Sequence, residues 1–200
     1  MNVDRLKMMK TCPISKRETL TPEMLEEFLR CSRCSDCGGV WIAALDYQEW
    51  LRHHGENLPE KPMEQGMNLV SGETHGPRYC PDCNWILMKY KVGHSINFSL
   101  NRCAHCGGMW FDQNEWDILK ARNLHDDVHL VFSQQWQALV REEEHIAAVE
   151  ACWRNQFGEA DFKEIQRIKH WLQTHPKSAE LYAYLLDRDG ARKPVRQGIG

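Results

Sequence analysis

Residues 103–116 read CAHCGGMWFDQNEW, and residues 34–50 read CSDCGGVWIAALDYQEW. Both contain Cys-x-x-Cys-Gly-Gly-x-Trp, and both go on to Asp-x-x-Glu-Trp. One chemical unit therefore occurs twice, and the more complete copy explains the other. In the second copy, Cys80-Pro81-Asp82-Cys83 is followed by nineteen residues and then by Cys103-Ala104-His105-Cys106-Gly107-Gly108. Two Cys-x-x-Cys pairs at that separation suit a tetrahedral Zn²⁺ site, because thiolates are soft anionic donors and four of them saturate the ion. Each pair belongs on a tight turn, where Gly107 supplies a positive φ without strain and Asn84 tolerates one.

Between the pairs, ILMKYKV and SINFSLNR alternate as strands do, with Gly93-His94 at the turn. A hairpin of this kind brings its ends together, and the four sulfurs with them. After the site, Asp112 is placed to cap a helix and Glu115 to reach back as in a capping box. Trp116 and Leu119 then share one face of that helix.

The first copy aligns on the second with Cys12-Pro13 on Cys80-Pro81. Cys34, Cys37, Gly38, Gly39 and Trp41 fall on Cys103, Cys106, Gly107, Gly108 and Trp110, and Asp46, Glu49 and Trp50 on Asp112, Glu115 and Trp116. The departures are Ser15 in place of Cys83 and Lys16 in place of Asn84. A fourth thiol, Cys31, lies three residues before Cys34. The stretch TPEMLEEFLRC reads as helical: Thr21 caps, Pro22 suits the first turn, and Leu25, Phe28 and Leu29 share a face. On a helical turn Cys31 and Cys34 lie together, giving a site of Cys12, Cys31, Cys34 and Cys37. On a strand they point to opposite faces. A neutral serine hydroxyl is a poor zinc ligand, and Cys12, Cys34 and Cys37 with a water would make an open, reactive site. The alternative is a metal-free first ribbon held by Trp41, Trp50 and their apolar neighbours.

Cys-Pro-x-Cys, Cys-x-x-Cys-Gly-Gly-x-Trp and Asp-x-x-Glu together resemble the bacterial zinc-ribbon family named after the ribbon of general transcription factor IIB. The resemblance is close over 80–119. Over the first unit it departs at Ser15, at Lys16 and in the longer stretch before Asp46. It implies structural zinc ribbons and says little about activity.

The 200 residues are 42% hydrophobic and 26% charged, with a net charge of −3. That balance gives no general attraction to nucleic acid or to an anionic membrane. No apolar run approaches the roughly 20 residues of a membrane span, and the start MNVDRLKMMK lacks the apolar core of a signal peptide. A cytoplasmic location follows as the default. Nine cysteines, eight of them before residue 107, favour metal binding over disulfides in a reducing compartment. Redox Cys-x-x-Cys motifs usually occur singly at a helix N-terminus, whereas here two pairs face each other. Four thiolates also leave no open position for a catalytic water. Cys152, alone on a helical pattern, reads as a small buried apolar side chain.

The chain thus divides into a first, degenerate zinc ribbon (11–52), a linker (53–78), a second zinc ribbon (79–122), a helical C-terminal region (123–190) and a disordered tail (191–200). The fold class is α+β: two ribbon hairpins, each followed by a helix, and then an all-helical region. In that region Gly158 stops one helix, Asp161 caps the next, Pro176 ends it and Ser178 caps the last. The final pair lacks the basic or amide side chains of a DNA-reading helix. His53, His54, His94, His105, His125 and His129 read as surface or turn residues, and the tryptophans as core. Lys89 and Lys91 with Tyr90 are a weak signal for nucleic acid.

The function expected is that of a non-enzymatic, zinc-binding adaptor with a protein partner. It binds one Zn²⁺ through Cys80, Cys83, Cys103 and Cys106, with a second ion open to the first ribbon. No membrane association and no small-molecule substrate is indicated. The alternatives are a transcription-related protein contacting nucleic acid or polymerase and, more weakly, a thiol redox protein.

Overall fold

The computed structural model describes residues 10–17, 19–54 and 76–187. Most of the expected 53–78 linker and the whole of the expected 191–200 tail lie outside them. The chain forms two compact units, Met1–Glu143 and Glu144–Gly200. The architecture is mixed α+β, and no described helix is long and apolar enough to cross a membrane.

The first unit is built on one antiparallel sheet. Strands β1 (Thr21–Glu26), β2 (Leu29–Arg33) and β3 (Val40–Ile42) come from the first cysteine copy. Strands β4 (Leu87–Gly93), β5 (Ile96–Cys103) and β6 (Met109–Phe111) come from the second. The spatial order is β1-β2-β3-β6-β5-β4, so the two copies join back to back through β3 and β6. Helix α1 (Ala44–His54) follows β3 as α2 (Glu115–Ala121) follows β6.

The expected helix over TPEMLEEFLRC is corrected to a hairpin. Thr21, Glu23 and Met24 of β1 pair with Arg33, Cys31 and Arg30 of β2, and Phe28 turns the chain at φ 65°. The helical spacing of Leu25, Phe28 and Leu29 is real, but the sheet offers more. Leu29 and Cys31 alternate into the core, and β2 gains β3 as a second partner. Pro22 is tolerated because β1 is an edge strand. The second hairpin falls where its alternation places it, with the turn one residue later than expected. His94 and Ser95 both take positive φ, at 51° and 63°, as a two-residue primed turn demands.

The three-residue strands β3 and β6 alternate strictly between the two faces of the sheet. Val40, Ile42, Met109 and Phe111 belong to one core cluster, with Leu29, Cys31, Tyr47, Trp50, Trp116 and Leu119. Trp41 and Trp110 belong to another, with Cys12, Cys34, Cys80 and Cys103. One face is thus covered by helices, and the other carries the cysteines. Segment 123–143, assigned from its pattern to the C-terminal region, contributes to the helix-covered core. Val128 and Val131 of α3 (Val128–Val131) are fully buried there. Trp136, early in α4 (Gln134–Phe157), donates its indole N–H to the Val92 carbonyl at 2.8 Å.

The second unit holds the end of α4, then α5 (Glu159–Thr174) and α6 (Ser178–Leu186). Gly158 separates the first two at φ 81°. The caps fall three residues and one residue earlier than expected: Gly158 rather than Asp161 precedes α5, and Lys177 rather than Ser178 precedes α6. Asp161 instead sits in the first turn, where an acidic side chain suits the helix dipole. Cys152, expected to be buried, is exposed.

Candidate metal centres

The four Cys-Pro and Cys-Gly-Gly turns share one backbone design. Each folds its chain with an N–H four residues on bonded to the first cysteine's carbonyl. These bonds run from Lys16 to Cys12 (3.0 Å), Gly38 to Cys34 (3.0 Å), Asn84 to Cys80 (2.9 Å) and Gly107 to Cys103 (2.9 Å). All four donors sit at positive φ, between 57° and 75°. Glycine does this at little cost and asparagine tolerates it. Lys16 adopts the same geometry as Asn84 without that advantage.

In the second copy this construction brings together the four cysteines expected from the sequence. Cys80 Sγ lies 3.4 Å from Cys106 Sγ, and Cys83 Sγ lies 3.4 Å from Cys103 Sγ. All four sulfurs are within 4.8 Å of one another. Tetrahedral Zn–S bonds of about 2.3 Å place sulfurs about 3.8 Å apart, so the set fits Zn²⁺ with no open position.

Burial and the neighbouring sulfurs push the Cys80 thiol well up, and burial pushes Cys106 up to about 11. Burial also opposes ionisation of Cys103, but the backbone N–H groups of Cys106 and His105 outweigh it and hold that thiol below its usual range. Four sulfurs this close carry charge together only with a cation between them, and that is the chemistry a zinc ion supplies.

In the first copy the structure brings together Cys12, Cys34 and Cys37, whose sulfurs also lie within 4.8 Å of one another. Cys12 Sγ is 3.6 Å from Cys37 Sγ. Cys34 and Cys37 differ as Cys103 and Cys106 do. Backbone N–H groups of Cys37 and Asp36 overcome the cost of burying Cys34 and lower it, whereas burial raises Cys37 to about 12. Cys31 is not among the three. It lies in the helix-covered core, its thiol raised to about 11 by burial and by Glu23. The strand alternation weighed from sequence is what separates it from Cys34. Among the described residues, both groups with metal-ligand geometry are made of cysteine alone.

His125, expected at the surface, is instead half-buried against Trp50 and Trp116 at 5.6 and 6.0 Å; four other histidines have local partners. His53 stacks on Phe28 at 4.8 Å, His105 on Trp85 at 5.1 Å, and His94 meets Trp136 edge-on at 4.9 Å. His54 Nδ1 lies 3.1 Å from the Trp50 carbonyl.

Cross-links between the copies hold the cysteine face in place. The Trp41 indole donates to Asp82 of the second copy at 2.9 Å, and Lys10 pairs with the same carboxylate at 2.8 Å. Trp110 donates to Asp112 at 2.7 Å, and Asp112 also accepts two bonds from the buried Arg78 at 2.7 and 3.0 Å. Half of the expected capping box is present, since Glu115 accepts the Asp112 backbone N–H at 2.8 Å. Asn114 directly precedes α2, and the Asp112 carboxylate is engaged by Arg78 and Trp110. Arg78 carries no motif. The signal available for it was an arginine just before the Cys-Pro turn, too common to single out.

Residues 79–122 match the family described as transcription factor zinc-finger, the zinc ribbon of the TFIIB type. No curated protein and no solved structure matches the chain. The matched segment holds the complete four-cysteine site, its hairpin and its capped helix.

Proposed function

We propose that the protein is a non-enzymatic adaptor. Its metal-bound first unit serves as a rigid base, and its C-terminal helices dock a protein partner in a reducing compartment. The observation that carries this reading is the apolar surface of the second unit. Ile146, Val149, Trp153 and Phe157 recur along α4, and Ile165, Ile168 and Trp171 along α5, each between 39% and 50% exposed. Ile146, Val149, Trp153, Phe157 and Ile165 border a groove of about 550 Å³ between the two helices. Exposed apolar surface of that extent is unusual unless another molecule covers it. Trp and other aromatic side chains are those that anchor protein interfaces. The four-thiolate centre, with no place for water, supports a structural rather than a catalytic role for its metal.

The test is capture of partners from the native host by the full chain and by Trp153→Glu/Trp171→Glu, with the mass in solution measured for both. The reading expects partners that the wild type retains and the variant loses. Equal capture by both proteins defeats it, as does a self-assembled wild type with no other partner.

A second reading, contact with nucleic acid in transcription, is favoured by one feature. Trp85 is 57% exposed and stacks parallel to His105 over the second cysteine turn. Lys89 and Lys91 are exposed on the adjoining edge strand β4. Aromatic faces beside cationic side chains suit single-stranded bases. Binding to an oligonucleotide that weakens steeply with salt and is lost in Trp85→Ala supports this reading, and no binding at low salt removes it.

A further inference from the structure

We infer that the first cysteine group is an exchangeable Zn²⁺ site in which the Ser15 hydroxyl stands at the fourth vertex, beside Cys12, Cys34 and Cys37. The inference rests on the zinc-ribbon reading of the second copy and concerns the place where the first departs from it. Sequence alone offered Cys31 as the replacement donor, an open site of three thiolates and a water, or no metal at all. The structure removes Cys31 to the opposite face of the sheet, among Leu29 and Val40. It puts Ser15 where Cys83 stands in the complete site. Cys83 faces Cys103, and Ser15 Oγ faces the equivalent Cys34, 3.9 Å from its sulfur.

The backbone around Ser15 is that of a metal-binding turn and not of a relaxed loop. The N–H groups of Ile14 and Ser15 both point at Cys12 Sγ at 3.4 Å, as that of Asp82 points at Cys80 Sγ at 3.4 Å. These donors stabilise a thiolate. The turn keeps this form although Lys16 must hold a positive φ that its side chain disfavours. A metal–oxygen bond of about 2.0 Å and metal–sulfur bonds of about 2.3 Å put oxygen and sulfur about 3.5 Å apart, so the vertex is reached by a small closure of the turn.

The chemistry of the donors sets the behaviour of the ion. Three thiols lose protons on binding and the hydroxyl keeps its own, so the complex carries charge −1 where the four-thiolate site carries −2. A neutral oxygen is a weaker donor to a borderline-soft ion than a thiolate. The first ion is therefore held less tightly than the second and exchanges first. The hydroxyl also occupies the position that a catalytic site leaves to water.

The test uses full-length protein freed of metal and titrated with Co²⁺, whose sulfur charge-transfer absorption grows with the number of thiolates bound. Two ions per chain are expected. The first to bind gives the absorption of four thiolates and the second that of three, and a chelator removes the latter at the lower concentration. Ser15→Cys should raise the weaker ion to four-thiolate absorption and close the affinity gap. Ser15→Ala should shift its d–d bands and weaken it, and Cys31→Ser should leave both ions unchanged. One ion per chain in the wild type overturns the inference. So does a Ser15→Ala variant with wild-type affinity and spectrum, or loss of an ion in Cys31→Ser. Failure to bind any Co²⁺ would instead defeat the zinc-ribbon reading itself.

Discussion

Trp41 lies opposite Trp110 in the β3–β6 register, and each ring occupies the space that a side chain would fill at the other copy's second glycine. A Cβ on Gly39 would fall within the Trp110 ring, and one on Gly108 within the Trp41 ring. On the helix-covered face, Trp50 and Trp116 meet edge to face at 5.8 Å and 70°. These are the repeat's own conserved positions between copies, so the unit is built to pair with itself. A single short ribbon has little core of its own. Two of them, joined through β3 and β6, bury four tryptophans and share one sheet.

Substituting either second glycine should therefore act on the other copy. Gly108→Ala forces a methyl group into the Trp41 ring and should cost about 1–3 kcal/mol, the usual range for overpacking. Adding Trp41→Leu should recover part of the loss, because the two changes share one space and are not additive. Thermal unfolding of the two single variants and the double variant checks this. Additive losses would mean that the ring does not occupy the glycine's space.

The second cysteine set and the second hairpin were legible because their signals are local, whereas the place of Cys31 in the first set was not. Knuckle spacing and strand alternation are written into consecutive residues. The pairing of the copies was not legible, since Gly39 and Gly108 explain themselves only once Trp110 and Trp41 are placed on them. The first hairpin was misread for the same reason. TPEMLEEFLRC carries helical spacing, and only β3, reached across the Cys34–Cys37 turn, makes a strand of β2. Asp112 was seen as a cap because the aspartate precedes a helix. Its ion-pair partner, Arg78, is 34 residues earlier.

That ion pair should be more sensitive to breaking than to replacement. The Arg78 and Asp112 side chains are 3% and 1% exposed. Asp112→Asn takes a bidentate counter-charge away from a buried guanidinium and should cost about 3–5 kcal/mol. Removing both charges with Arg78→Met/Asp112→Asn should cost less than Asp112→Asn alone. Chemical denaturation of the three proteins decides between this and a surface-like pair, for which every change would be small.

Loss of the complete metal site should unfold the structure around it. Cys103 is fully buried, and its turn closes β5 against β6. A structural zinc is worth on the order of 10 kcal/mol of apparent binding energy, much of it coupled to folding. Cys103→Ser should lower metal content by one ion per chain and expose the amides of 80–119 to hydrogen exchange. Unchanged protection with one ion missing would show that the sheet stands without it.

Glu26 gives the first unit a pH dependence whose sign follows from its partners. Its carboxylate, at the end of β1, accepts the Trp116 indole N–H at 2.9 Å and pairs with Lys120 at 2.6 Å, both from α2. Burial alone would raise its pKa, but the bonds from Lys120 and Trp116 outweigh that and hold it below the usual range. A carboxylate lowered on folding stabilises the folded state above its unfolded pKa of about 4.3, and the contribution disappears as pH falls through the folded value. Glu26→Gln keeps an acceptor for Trp116 but loses the ion pair. Lys120 is 39% exposed, so screening limits the loss to on the order of 1 kcal/mol at neutral pH. The difference in stability between wild type and variant should be full at pH 7 and should shrink as the acid range is entered. Acid also protonates the thiols and loosens the metal, but it does so in both proteins and cancels in the difference. A gap that stays constant from pH 7 down through the carboxylate range would show that Lys120 does not hold Glu26 ionised.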